Sequence, residues 1–134
     1  MSKEYQAIWH RANPDKCHSY FRKWEQAHKS YLAAKQRERR KLLAGEIFRI
    51  YGNGCCAICG SIEDLTLDHL NGDGKQFRDS FNGRTMSGCH FYRWLRRNGY
   101  PKNLGLRVLC RSCNTKDWQK RRLERERIVS EPLV

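Results

Sequence analysis

Two Cys-x-x-Cys turns, Cys56/Cys59 and Cys110/Cys113, stand fifty residues apart in this chain. Zinc takes four thiolate or imidazole ligands in a tetrahedron, and one such turn supplies two of them. Two turns close the shell, so a chain stapled this way must bring residues 56–59 beside residues 110–113. Gly60, directly after Cys59, frees the backbone to wrap the metal. A single pair would equally suit a redox dithiol. The doubled pair in a basic chain reads as structural zinc. Cys55 is an alternative to Cys56, but its spacing to Cys59 suits a knuckle less well. Cys17 falls on an apolar helix stripe and reads as packing. Cys89 has no partner at ligand spacing and reads as an uncommitted thiol.

A staple is what this composition calls for. Only 39% of the 134 residues are apolar and 31% are charged, too little greasy material for a generous core. No stretch approaches the roughly 20 apolar residues of a membrane span. The opening MSKEYQAIWHRANPDK lacks the apolar centre of a secretory signal. The expectation is a chain kept in a reducing cytoplasm, where seven cysteines serve metal rather than disulfides.

The net charge is +13, unevenly spread. Residues 3–41 carry eleven basic and four acidic side chains, and residues 75–111 carry nine and one. Between them, residues 42–74 carry one basic and five acidic. The basic segments suit a polyanion, of which nucleic acid is the commonest. A basic surface kept for solubility is the plainer alternative. A membrane-surface role lacks the apolar helix face it would need.

Along the chain, residues 3–12 read as a short helix. Asn13-Pro14-Asp15 starts another, with Asn13 as N-cap and Pro14 in the first turn. Cys17, Tyr20, Trp24, Ala27, Tyr31 and Ala34 then follow at steps of three and four, one face of a helix. Gly45 marks a break, and residues 46–51 form a short helix closed by Gly52-Asn53-Gly54. Residues 65–70 alternate as a strand does, and 106–109 form a second strand. Residues 71–88 read as a long loop, 90–100 as a short helix, 110–114 as a tight turn and 115–128 as a basic helix.

Asp68-His69 ends the first strand, and Asn114 follows the last knuckle cysteine. A zinc staple brings the two together. Oxygen ligands from Asp68 and Asn114 suit a hard cation such as magnesium. His69 can take a proton from water near neutral pH. Together they are apparatus for metal-assisted phosphodiester hydrolysis. Singly, an Asp-His pair is also a solvated turn and an Asn after Cys a helix cap.

LTLDHLNGDG, YRWLRRNGYP and LRVLCRSCN resemble the phage-type HNH endonucleases, ββα-metal or His-Me finger nucleases with a four-cysteine zinc site of the endonuclease VII kind. The likeness covers roughly residues 46–120. It implies an α+β fold, with a two-stranded hairpin and a helix clasped around a divalent ion, Mg²⁺ or Mn²⁺, and a long insertion between the strands. It implies His69 as general base, Asp68 and Asn114 as ligands of the catalytic ion, and Cys56, Cys59, Cys110 and Cys113 as ligands of zinc. The closing helix lacks the second histidine of the family name. Asp117, one turn after Asn114, resembles the acidic residue of that helix and is a further candidate ligand. Phe77 stands where many relatives carry a histidine, and His90 is a candidate phosphate contact in its place. Partners implied are DNA and, by resemblance alone, a phage packaging terminase, with the enzyme a monomer or dimer in the host cytoplasm.

The expected organisation is a basic helical N-terminal extension over 1–45, a nuclease domain over 46–128 and a tail over 129–134. Arg93, Arg96 and Arg97, interleaved with Tyr92 and Trp94, are candidate phosphate contacts. So are Lys116, Lys120, Arg121 and Arg122 on the last helix and the run 35–41. Backbone contacts of this kind carry no sequence information, and no cluster of base-reading side chains is evident. The rival reading is a zinc-ribbon or treble-clef module that binds nucleic acid without cutting it. His10, His18 and His28 read as surface residues.

Overall fold

The computed structural model describes residues 1–80, 86 and 88–130, without the side chains of Arg78 and Ser130. Residues 81–85 and 87 of the expected loop and 131–134 of the expected tail lie outside the described residues. The element order is α1 (Lys3–Ala12), α2 (Pro14–Ala27), α3 (Lys29–Gly52), β1 (Leu65–His69), α4 (Gly74–Asp79), α5 (Cys89–Arg97), β2 (Leu106–Cys110) and α6 (Arg111–Ser130). This is a mixed helical protein with a small two-stranded sheet. By its internal contacts the chain divides into two units, Met1–Arg39 and Arg40–Val134, and the division falls inside α3.

In the first unit, Ser2 caps α1 through its hydroxyl, which accepts from the Tyr5 amide at 3.3 Å. Pro14 opens α2, where its missing N–H costs nothing. Asn13 holds the N-cap position but makes no side-chain cap bond. Its amide turns back instead and donates to the Trp9 carbonyl at 3.0 Å. The expected apolar stripe is interrupted at His28, where α2 ends. Tyr20, Trp24 and Tyr31 are all exposed, and neither α1 nor α2 buries a residue.

In the second unit, Gly45 lies within α3 rather than ending it. Leu43 and Ile47, one helical turn apart, pack with Phe91 and Leu95 of α5 into a core rimmed by Phe48, Leu67, Phe77, Trp94 and Leu106. That burial outweighs a helix-interior glycine, whose cost is about 1 kcal/mol. The C-terminus of α3 docks on β2 so closely that a Cβ at Gly52 would collide with the Val108 side chain. Lys102 Nζ binds the Ile50 carbonyl there at 2.9 Å, a cation at a helix C-terminus.

β1 and β2 pair antiparallel, from Leu65 opposite Cys110 to His69 opposite Leu106. The pleat sends Leu67 and His69 toward the α3–α5 core and Thr66 and Asp68 toward α6, which packs on both strands. Two expectations are corrected here. The loop over 71–88 contains α4, and the turn at 110–114 belongs to the start of α6, which begins at Arg111. The second knuckle is therefore strand end running directly into helix.

Candidate functional site

The four knuckle cysteines converge. The Sγ atoms of Cys56, Cys59, Cys110 and Cys113 all lie within 4.8 Å of one another. A Zn–S length of about 2.3 Å sets tetrahedral S···S edges near 3.8 Å, and Cys59 and Cys110 stand 3.6 Å apart. Local backbone makes the fit. Gly60, at φ +73°, lets its amide return to the Cys56 carbonyl at 2.9 Å, and the Cys113 amide points at Cys110 Sγ at 3.4 Å. Burial opposes ionisation of Cys56, but N–H groups of Cys59, Cys110 and Ile58 outweigh it and bring its pKa down to about 6. Hydrogen bonding with Cys110, then Cys59, pushes Cys113 up to about 12. One thiolate forms readily while a proton is retained elsewhere in the cluster, and metal binding displaces such protons. The four side chains form a cluster suited to a metal such as zinc.

Beside it opens a cleft of about 620 Å³, lined among others by Asp68, His69, Gly74, Lys75, Asn114 and Arg125. Asp68 and His69 come from the end of β1, Asn114 from the first turn of α6. The Asn114 amide donates to Thr66 Oγ1 at 2.9 Å, and Thr66 in turn donates to the Leu109 carbonyl at 3.0 Å. This relay engages the Asn114 NH₂, and among the described residues no hydrogen bond falls on its side-chain carbonyl oxygen.

His69 is only 6% exposed. Its ring packs against those of Phe77 and Phe91, with centroids 5.5 and 5.9 Å away, and the two phenylalanine rings also touch each other at 5.8 Å. Gly74 presses against it: a Cβ there would stand 2.7 Å from His69 Nδ1. Phe77 is thus part of the wall that packs on the imidazole.

Asp68 sits in a four-charge cluster. Arg107 Nε and Arg121 Nη2 donate to Asp68 Oδ2 at 3.0 and 2.9 Å. The same two guanidinium groups bind Asp117, Arg107 at 2.6 Å and Arg121 one helical turn on. Burial acts to raise the Asp117 pKa, but the two arginines prevail and lower it. Every hydrogen bond to Asp68 among the described residues falls on Oδ2, so Oδ1 is the oxygen available to a ligand.

No family model, curated protein or solved structure matches this chain. The site therefore rests on its own geometry.

The structure gathers Asp68, His69 and Asn114 at one cleft and sets Asp117 against Asp68 through shared arginines. Arg121 lines the same cleft, and the remaining phosphate-contact candidates do not. Arg93, Arg96, Arg97 and His90 lie on α5, which supplies none of the cleft lining. Arg96 is held by Glu46, with Nε 3.1 Å from Oε1 and a second contact from Nη2, and that pairing leads in lowering the Glu46 pKa. Arg93, Arg97, Lys116 and Lys120 are exposed. Arg121 turns inward, to the two carboxylates and to the His69 carbonyl at 3.1 Å. Arg122 pairs with Glu126 at 2.9 Å. Sequence reading missed Arg107, Thr66 and Gly74. Arg107 was discoverable by counting back from Cys110, since antiparallel pairing from Leu65 opposite Cys110 puts Asp68 opposite Arg107. No sequence signal marked Thr66.

Proposed function

We propose that the second unit is a metal-dependent DNA endonuclease of the HNH, ββα-metal type, with structural zinc on Cys56, Cys59, Cys110 and Cys113. One observation carries this reading: a carboxylate, an imidazole and a carboxamide from a strand end and a helix start line one cleft in a +13 chain. The donor set suits a hard dication, since Asp68 Oδ1 and the Asn114 side-chain carbonyl are both oxygens without a hydrogen bond among the described residues. Magnesium or manganese held there would neutralise charge on the phosphodiester as it is cut.

The chain's own groups do the rest. Asn114 is oriented by Thr66, and Asp68 by Arg107 and Arg121. His69 accepts a proton from water in line with the scissile bond. Arg93, Arg97, Lys116 and Lys120 hold duplex phosphates without reading bases. The products are a 5′-phosphate and a 3′-hydroxyl. One site nicks one strand, and a double-strand break takes two molecules or two events.

A zinc module that binds nucleic acid without cutting it is the second reading. It is favoured by the burial of His69 and by the two guanidinium groups already on Asp68. Cleavage of supercoiled plasmid with magnesium or manganese decides. The wild type nicks, and His69→Ala slows nicking by at least about 100-fold with DNA affinity retained. Cleavage that survives in His69→Ala, or binding that falls in parallel, overturns the assignment of His69.

A further inference from the structure

We propose that the first unit carries a stacking platform for unpaired bases of single-stranded nucleic acid, built from Phe21, Trp24 and His28. This does not rest on the nuclease reading. The three residues follow at steps of three and four, so they share one helix face. Their rings form a ladder: Phe21 and Trp24 lie 6.4 Å apart at 22°, Trp24 and His28 4.5 Å apart at 23°. His28 Nδ1 lies 2.8 Å from the Trp24 carbonyl, which holds the last ring in place beyond the end of α2.

This ladder covers no core. Phe21 is 58% and Trp24 46% exposed, His28 is exposed, and α2 buries no residue. Stacked rings left in water are apolar area held at a cost, and they are already ordered for a flat ligand. The surroundings select which one. Arg22, Lys23 and Lys29, next in sequence to the three rings, are exposed, within a segment of net +7. Cations that track phosphates beside aromatic faces that take bases are the two components of single-strand recognition. A duplex keeps its base faces to itself and offers only phosphates. A second copy of this chain brings the same positive charge and is repelled.

The test measures binding of the full chain, without added magnesium or manganese, to a fluorescent twelve-thymidine strand and to an abasic twelve-mer with the same phosphates. Trp24→Ala weakens binding to the thymidine strand at least about fivefold, the lower end of one base–aromatic stack. It leaves the abasic strand unchanged, and Trp24→Phe restores most of the loss. Helicity stays, since alanine is the better helix former. Equal weakening on both strands, or none on either, overturns the platform. So does a wild-type dimer in sedimentation that Trp24→Ala dissociates, because the face is then a protein interface.

Discussion

Arg107 faces Asp68 across the β1–β2 ladder, with its Nε 3.0 Å from Asp68 Oδ2 and its Nη2 2.6 Å from Asp117 Oδ2. One guanidinium therefore joins the strand carboxylate to the helix carboxylate, and Arg121 does the same from the helix side. The cluster carries two charges of each sign and is about one-fifth exposed. It ties α6 to the sheet at the wall of the cleft.

Arg107→Ala leaves two carboxylates sharing Arg121. Hydrogen bonds to charged groups contribute about 1.5–3 kcal/mol each, discounted here for partial exposure. The expected loss is about 1–3 kcal/mol, read from urea unfolding of the protein with zinc added. A loss below about 0.5 kcal/mol, the range of a plain surface change, would show that the cluster does not hold α6.

The lowered pKa of Asp117 gives the cluster a pH signature. A depressed carboxylate contributes stability fully above its unfolded pKa and loses it as pH falls through the folded one. The wild type should lose stability more steeply than Asp117→Asn below about pH 4, the ordinary aspartate range. Urea midpoints at several acid pH values check this, and parallel curves refute it.

The zinc reading predicts one zinc per chain by elemental analysis. Cys59→Ser or Cys113→Ser should lose the metal and cooperative unfolding together, because site formation and folding are the same free energy here. A stable mutant without metal, active as the wild type, excludes the assignment.

Gly74→Ala puts a methyl 2.7 Å from His69 Nδ1. Either the imidazole or the start of α4 must shift. If His69 is the base, plasmid nicking should fall at least about tenfold, since small displacements of a reacting group cost up to about 100-fold. DNA affinity should stay the same. Unchanged nicking would separate this contact from the chemistry.

The α5 arginines should divide. Each phosphate contact contributes about −0.9 to the slope of log affinity against log salt. Arg93→Ala with Arg97→Ala should flatten that slope by nearly two and weaken unrelated duplexes alike. Arg96→Ala should change the slope least and destabilise the fold instead, through the loss of Glu46. Equal effects at all three positions would contradict the division.

The knuckles, both strands and the basic terminal helix were legible because each rests on short-range pattern: Cys-x-x-Cys spacing, alternation, charge on a helix. That Asp68, His69 and Asn114 meet at one cleft was legible for the same reason, since a staple at the cysteines carries its chain neighbours along. Helix limits were less so. Gly45 is a breaker by propensity, and Leu43 and Ile47 override it only because α5 presents Phe91 and Leu95.

What the amino-acid order determined alone was which chemical groups lie near the four cysteines. Which arginines stay exposed and which face carboxylates was decided only by tertiary structure. Arg107 and Arg121 look no different in sequence from Arg93 and Arg97. Antiparallel register sets Arg107 against Asp68, and the helix repeat sets Arg121 over Asp117. The burial of His69 against Phe77 and Phe91 likewise depends on α4 and α5 arriving from elsewhere in the chain. Pairings of this kind depend on how strands align and helices cross, a property of the packed whole that no local spacing carries.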